Sequence, residues 1–131
     1  MFDNLTREDF KKSFDKMVGL VDRLHKAGVR IVAGTDGYGL ELVRELELYQ
    51  QAGLTNAEAL QTATIVPARM VGMDDRVGSI ARGKTADIIL VDGDVSKDLG
   101  NLRHVETVFL DGYRLDGKAL REASGLNGMP K

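Results

Sequence analysis

Apolar side chains recur at helical spacing along the first part of the chain. Within residues 6–27 the members of this stripe are Phe10, Phe14, Met17, Val21 and Leu24. Successive members lie three or four positions apart, which places them on one face of an amphipathic helix. Thr6 can cap the start of this helix, and Gly28 suits the left-handed conformation that often follows a helix end.

A short β-branched run, residues 29–33, comes next and stops at the turn residues Gly34-Thr35-Asp36-Gly37. This pattern predicts a strand that ends in a loop. Apolar residues on one face then predict a second helix over residues 40–52, with Gly53 as its stop signal. The order helix, strand, helix is typical of α/β proteins.

Two shorter helices are predicted to follow. Thr55 and Glu58 have the spacing of a capping box, in which a hydroxyl and a carboxylate satisfy backbone donors at a helix start. Pro67 predicts a fourth helix over residues 67–72. Proline is tolerated at the first helical position, and it disfavours α geometry in the preceding residue, Val66.

After residue 75 the pattern changes to short β-like runs separated by glycines. The runs cover residues 77–80, 87–91 and 105–110. Residues 88–91 are apolar at every position, which predicts a strand buried on both sides. A final helical turn is predicted over residues 115–123, and residues 124–131 are expected to form a flexible tail.

Composition excludes several classes of protein. With 131 residues the chain is long enough for one compact domain, and Lys+Arg 18 against Asp+Glu 20 gives a net charge of -2. This balance does not favour binding to nucleic acid or to an anionic membrane surface. Cysteine is absent, which excludes disulfides, thiolate nucleophiles and cysteine-based metal sites. The sequence contains no transmembrane-length apolar run and no signal-peptide pattern, so we expect a cytoplasmic protein.

Asp36 is the candidate for chemistry, because it lies where the predicted strand ends and a helix begins. In parallel α/β proteins that edge carries function. The residues alone leave two interpretations open and favour the first, in which Asp36 is a turn or N-cap residue of the next helix. In the second, its carboxylate binds a metal or takes a proton from water on that metal. A phosphate-binding loop is disfavoured, because the glycine spacing is wrong and the carboxylate would repel phosphate.

The other candidate ligands have simpler interpretations. His25 lies near the end of the first helix, where a cation is favoured by the helix dipole. His104, in a polar stretch before a strand, is expected to be a surface residue. The run from Asp92 to Ser96 is similar to a calcium loop, but it lacks the glycine at position six and the glutamate at position twelve.

Three segments of the sequence are AGVRIVAGTDGYG, RELELYQQAGLTNAEALQTATIVPARMVGMDDRVGSIARGKTADIILVDGD and VETVFLDGYRL. Taken together, they resemble the C-terminal third of metal-dependent amidohydrolases, most of all the prolidase-like and imidazolonepropionase-like branches. The resemblance implies a (β/α)8 barrel with one or two zinc-like metals, and a small β-sandwich built from both ends of the chain. It also implies hydrolysis of carbon–nitrogen bonds in amides, cyclic amides or dipeptides.

The resemblance gives each segment a place in that fold. Residues 29–35 correspond to the eighth barrel strand, and Asp36 to the aspartate that binds metal and acts as general base toward the hydrolytic water. Residues 40–52 correspond to the last barrel helix. Lys84 and Asp87 then hold a turn at the entry to the sandwich strands.

The implied fold class is α/β. Residues 1–72 would be the last helix-strand-helix portion of the (β/α)8 barrel, residues 73–123 a small β-sandwich-like β region, and residues 124–131 the tail. The chain lacks the H-x-H and the further histidines of a complete enzyme, and Val43 stands where many prolidase-like relatives have a histidine. We therefore expect the chain to be inactive alone and to bind no metal alone. The complete enzyme would use zinc or a similar divalent metal.

Three functions are open at this point. The chain is a C-terminal fragment of an amidohydrolase, a subunit that completes an active site with a separate N-terminal chain, or a non-catalytic oligomeric scaffold or interaction module. The strand over residues 29–33 would have unpaired edges, which promote association. The apolar face of Phe10, Phe14 and Met17 would also be exposed. We therefore expect a homodimer or higher oligomer, joined through strand edges or exchanged elements.

Overall fold

Helices fill the first half of the chain and an antiparallel sheet the second. The computed structural model describes residues 5–37 and 40–126. The helices before the sheet are α1 (Arg7–Lys26), α2 (Leu40–Gln51), α3 (Asn56–Thr62) and α4 (Ile65–Met70). The later elements are β1 (Ile88–Val91), a 3₁₀ helix (Leu99–Arg103), β2 (Val105–Leu110), β3 (Tyr113–Asp116) and α5 (Gly117–Ala123). None of the described helices is long and apolar enough to cross a membrane.

Local signals place α1 and α3 where the sequence predicts them. Thr6 Oγ1 accepts from the backbone N–H of Asp9 at 3.2 Å, and the Asp9 carboxylate accepts from the Thr6 N–H at 2.9 Å. Thr55 and Glu58 form the same reciprocal pair at the start of α3. Gly28, just after α1, has a φ of 78°. Both helix starts and the end of α1 are therefore fixed by neighbouring residues.

The prediction of a strand over residues 29–33 is wrong for this chain. The segment belongs to neither helix nor strand, and it forms no sheet ladder. Its backbone bonds instead to helices, with the Val29 N–H donating to Leu24 O at 3.0 Å and the Ala33 N–H to Thr62 O at 2.9 Å. A strand needs a neighbouring strand, and local β-propensity cannot supply one.

The fourth helix begins two residues earlier than predicted. It starts at Ile65, so Val66 is helical and Pro67 is its third residue. The N–H groups of a first helical turn have no acceptor within the helix, so the missing N–H of Pro67 costs no helical hydrogen bond there. Val66 is therefore helical here, although a residue before proline usually avoids helical geometry.

The sheet has the order β1-β2-β3, and both strand pairs are antiparallel. Ile89 faces Val108 across the first pair, and Val108 faces Leu115 across the second. β1 is therefore an edge strand, and the prediction that it is buried on both sides is wrong for this chain. Ile89 is 45% exposed and Leu90 51% exposed. One sheet is present in the described residues.

Three further predictions for the second half of the chain differ from the structure or extend beyond the described residues. Residues 77–79 form a bend and residue 80 belongs to no regular element, so this run is not a strand. The predicted terminal helix begins at Gly117, because residues 115 and 116 still belong to β3 and Asp116 caps α5 through the Ala119 N–H. Of the predicted tail, residues 124 and 125 form a turn after α5, and residues 127–131 lie outside the described residues.

The hydrophobic core lies where the helices meet the 3₁₀ helix. Its buried centre consists of Leu46 from α2, Ala59 from α3 and Leu99 from the 3₁₀ helix. The partly buried residues packed against it are Ala33, Tyr49, Leu60, Ala63, Val95 and Leu102. Because α2 contributes to this core and also bonds to the Gly34 N–H through Glu45, it connects residues 29–37 to the rest of the fold.

Candidate functional site

Asp36 lies on an exposed bend between residues 29–35 and α2. Residues 38 and 39, between this bend and the start of α2, lie outside the described residues, so the interpretation of Asp36 as an N-cap or turn residue stays a prediction. The Asp36 side chain is exposed to solvent.

Helix α2 holds the backbone that leads to Asp36. The Gly34 N–H donates to Glu45 Oε2 at 2.9 Å. The other oxygen of this carboxylate, Oε1, accepts from the Tyr49 hydroxyl at 2.6 Å, and that hydroxyl also lies 3.5 Å from the carbonyl oxygen of Val32. Burial and the neighbouring Glu45 carboxylate raise the pKa of Tyr49 well above its ordinary value, so the phenol stays protonated and remains a donor.

Sequence reasoning missed Glu45. The available signal was its position on the buried face of α2, three residues after Leu42 and four before Tyr49. A carboxylate on such a face needs hydrogen-bond donors, because burying it unpaired is costly. The donors are the Gly34 amide, eleven residues away, and the Tyr49 phenol.

A second carboxylate lies beside the bend. A Cβ atom added to Gly37 would come within 2.5 Å of the carboxyl group of Glu41, so the Glu41 side chain lies directly against the Gly37 backbone. The bend therefore carries Asp36, and the Glu41 carboxylate lies against its neighbour Gly37. Both are acceptors in their ionised form.

The described residues do not form a complete metal site. Residues 5–37 and 40–126 contain no group of three or more His, Cys, Asp or Glu side chains that could hold a metal ion. A catalytic zinc site normally takes three protein ligands. Within this part of the chain, Asp36 is a single candidate ligand rather than a site.

The two histidines lie in structural positions. His25 Nε2 is 3.8 Å from Glu58 Oε1, which links the end of α1 to the start of α3. His104 ends the 3₁₀ helix and is partly buried, so the expectation that it is a surface residue is only partly met. Neither belongs to a metal-binding group among the described residues.

Lys84 and Asp87 hold turns, as the resemblance implies. The Lys84 ammonium donates to Ser79 Oγ at 2.7 Å and to the carbonyl oxygen of Asp74. The Asp87 carboxylate accepts from the Asp111 N–H at 2.8 Å, at the turn between β2 and β3. Asp111 has a φ of 51°, which a side chain adopts at some cost, and the bond from Asp87 stabilises this turn.

The run from Asp92 to Ser96 forms a turn of its own. Asp94 Oδ1 accepts from both the backbone N–H and the hydroxyl of Ser96, and the carboxylate pairs with Lys97 at 2.9 Å. The bonds from Ser96 and Lys97 hold the pKa of Asp94 below its ordinary value. The Asp94 carboxylate thus holds the local turn.

Two cavities lie away from Asp36. One of about 830 Å³ lies between α4 and residues 77–89, and one of about 240 Å³ is lined by His25, Arg30 and Glu58 among others. Exposed apolar side chains lie on both α1 and β1. On α1, Phe10 is 60% exposed and Met17 68%, and on β1 Ile89 and Leu90 are exposed.

The sequence pattern of the amidohydrolase family matches residues 12–115. Over 87 residues the chain is 33% identical to a 5-methylthioadenosine/S-adenosylhomocysteine deaminase of Thermoanaerobacter pseudethanolicus, an alignment covering 56% of this chain and 20% of that protein. Over 65 residues it is 32% identical to an N-acetylgalactosamine-6-phosphate deacetylase of Escherichia coli O157:H7, covering 50% of this chain and 15% of that protein.

A solved structure has the same fold over most of this chain. It is the crystal structure of a Xaa-Pro dipeptidase with methionine bound in its active site. It superposes with a TM-score of 0.72 and 30% identity, over 76% of this chain and 25% of the dipeptidase. The chain thus spans a quarter or less of each of these three relatives. With a family pattern that covers most of its residues, the chain belongs to the amidohydrolase family.

Proposed function

We propose that this chain supplies the C-terminal part of a metal-dependent amidohydrolase that hydrolyses carbon–nitrogen bonds in amides, cyclic amides or dipeptides. The observation that carries the proposal is the family match over residues 12–115. A deaminase, an N-acetyl sugar deacetylase and a dipeptidase all break a bond between carbon and nitrogen, and relatives with these names match the chain.

In this proposal the helical and β parts of the chain belong to two different domains of the enzyme. Residues 1–72 form the last helix-strand-helix portion of a (β/α)8 barrel, with residues 29–35 as its eighth strand. Residues 73–123 form part of a β-sandwich-like domain. The β-branched run at residues 29–33 has no strand partner among the described residues, and this supports the assignment, since an eighth strand would pair with barrel strands that this chain does not contain.

Asp36 carries the chemistry in this proposal, as a metal ligand and as the general base toward the hydrolytic water. Its exposed position directly after the proposed eighth strand supports the role, because active sites of such barrels lie at the strand C-termini. Zinc or a similar divalent metal would polarise the substrate. The other ligands would come from the part of the family domain beyond this chain, so the chain would be inactive alone.

Exposed apolar surfaces support a partner chain. The apolar stripe of α1 and the edge strand β1, with its exposed side chains Ile89 and Leu90, are the kind of surface that a folded protein covers. An N-terminal amidohydrolase chain would cover both and would supply strands beside residues 29–33. The chain is then a subunit that completes an active site.

Complementation tests the proposal directly. This chain is mixed with a prolidase-like amidohydrolase truncated before the helix that precedes its eighth strand, zinc is added, and hydrolysis of an Xaa-Pro dipeptide is followed. We expect hydrolysis only when both chains and the metal are present. Asp36→Asn should reduce it by at least about a hundredfold, because the amide is neither an anionic ligand nor a base. Asp75→Asn, the same change at an exposed carboxylate, should leave it intact.

Two outcomes of the complementation experiment would contradict the proposal. Hydrolysis that survives Asp36→Asn would exclude Asp36 as ligand and base. If several N-terminal chains bind this chain but none gains activity, the second candidate function is favoured, in which the chain is a non-catalytic oligomeric scaffold. The exposed stripe of α1 supports that alternative, and Asp36→Asn should leave its assembly unchanged.

A further inference from the structure

We propose that Glu45 is a positioning residue for the site: held by Tyr49, its carboxylate fixes the backbone that carries Asp36. The chemical role of Asp36 rests on the proposed function. The contact itself is a property of this chain and is measurable without a metal, a substrate or a partner.

The backbone before Asp36 depends on a few anchors. Residues 29–37 belong to no helix or sheet, so their dihedral angles are not fixed by a regular ladder of hydrogen bonds. The Ala33 N–H is bonded to Thr62 O at 2.9 Å, and the next N–H, of Gly34, is bonded to Glu45 Oε2 at 2.9 Å. The Glu45 bond is thus made two residues before Asp36.

Both oxygens of the Glu45 carboxylate are used. Oε2 accepts from Gly34, and Oε1 accepts from the Tyr49 hydroxyl at 2.6 Å. Tyr49 lies one helical turn further along α2 and packs against the core cluster of Leu46, Ala59 and Leu99. The phenol therefore fixes the carboxylate relative to the core, and the carboxylate fixes the Gly34 amide. Hydrogen bonds to an ionised acceptor are stronger than neutral ones, more so where water is partly excluded.

The arrangement makes Glu45 a positioning residue rather than a catalytic one. Its contacts are to the Gly34 backbone and to Tyr49, not to the bend that would meet a substrate. Displacing a reacting group by about 1 Å can cost about a hundredfold in rate. A bond two residues from Asp36 can therefore control a reaction in which Glu45 takes no part.

Amide hydrogen exchange, measured by NMR on this chain, tests the contact. We expect Glu45→Ala to raise the exchange rate of the Gly34 amide by about tenfold or more, because the amide loses its acceptor. The Ala33 amide, which bonds to Thr62 O, should keep its rate and so reports that the fold is intact. Glu45→Gln should restore most of the protection, because the side-chain amide oxygen can accept the same bond. The matched control is Gln51→Ala, an exposed change on the same helix.

The backbone resonance of Asp36 tests the positioning. We expect it to shift in Glu45→Ala, to return toward the wild-type position in Glu45→Gln, and to move in the same direction but less in Tyr49→Phe. An unchanged Gly34 exchange rate or an unchanged Asp36 resonance in Glu45→Ala overturns the inference. If both respond while complementation yields no hydrolysis, the positioning stands and the proposed function is the part that fails.

Discussion

Glu47 of α2 and Arg103 of the 3₁₀ helix form an ion pair between residues 56 positions apart, which joins the helical half of the chain to the β half. Both side chains are largely buried, at 22% and 18% exposed. The bond from Arg103 is the main reason that the pKa of Glu47 lies below its ordinary value, and it likewise raises the pKa of Arg103. The pair lies on the same two elements that contribute Leu46 and Leu99 to the core.

Replacing Glu47 with Gln should therefore lower the free energy of unfolding by about 1 kcal/mol, since the pair is partly screened by solvent. Because the pKa of Glu47 is depressed in the folded state, its contribution is present above its unfolded pKa and is lost as the pH falls below about 4. Urea unfolding at several pH values measures this. The difference between wild type and Glu47→Gln should shrink toward acid.

Glu8→Gln is the matched control, because Glu8 pairs with Lys12 at 2.9 Å on the exposed face of α1. We expect it to cost less than about 0.5 kcal/mol. An equal loss in both variants would mean that the pair between Glu47 and Arg103 contributes no more than a surface pair.

Leu46 is the centre of the core and is 2% exposed. Leu46→Ala should lower the free energy of unfolding by about 2–4 kcal/mol, through lost burial and the cavity left behind. Leu110→Ala removes the same atoms at a site that is 59% exposed and should cost less than about 1 kcal/mol. Denaturant titration of both variants measures these losses. Equal losses of unfolding free energy in the two variants would mean that Leu46 is not the centre of the core.

The sequence predicts the parts of this fold that depend on near neighbours. The two members of each capping box, Thr6 with Asp9 and Thr55 with Glu58, are three residues apart. Their hydrogen bonds therefore depend on the local sequence and not on contacts with distant parts of the chain. Gly28 likewise marks the end of α1 through its own backbone preference. These signals locate the helices to within a few residues.

The errors arise where a structure needs a distant partner. Residues 29–33 have strand propensity but no neighbouring strand among the described residues, and residues 88–91 have an apolar pattern although Ile89 and Leu90 are exposed. The bond from Gly34 to Glu45 spans eleven residues and has no local signature. For the same reason Asp36 stays a prediction as a metal ligand, since its proposed co-ligands are not in this chain.

Two glycines provide a test of backbone conformation that is free of packing effects. Gly19 lies within α1 and Gly28 just after it, and a Cβ atom at either position would meet nothing within 4 Å. Gly19→Ala should stabilise the protein by about 0.5–1 kcal/mol, because alanine favours a helix. Gly28→Ala should destabilise it by about 1 kcal/mol, because Gly28 has a φ of 78°. Thermal unfolding of the two variants should shift in opposite directions, and a shift in the same direction would contradict this account.

Self-association follows from the exposed stripe of α1. In the absence of a complementing chain, Phe10, Phe14 and Met17 place a contiguous apolar surface in water, and α1 buries none of its residues within this chain. A second copy presents the same stripe, and pairing of two such helices would remove apolar area from water on both.

We expect a dimer or larger oligomer at micromolar concentration, measured by size exclusion with light scattering. The double variant Phe14→Asp/Met17→Asp should be monomeric, because charges would be buried at the contact. Lys16→Asp adds an acidic residue on the same helix away from the stripe, and it should leave the oligomer intact. A wild-type chain that elutes as a monomer would exclude this association.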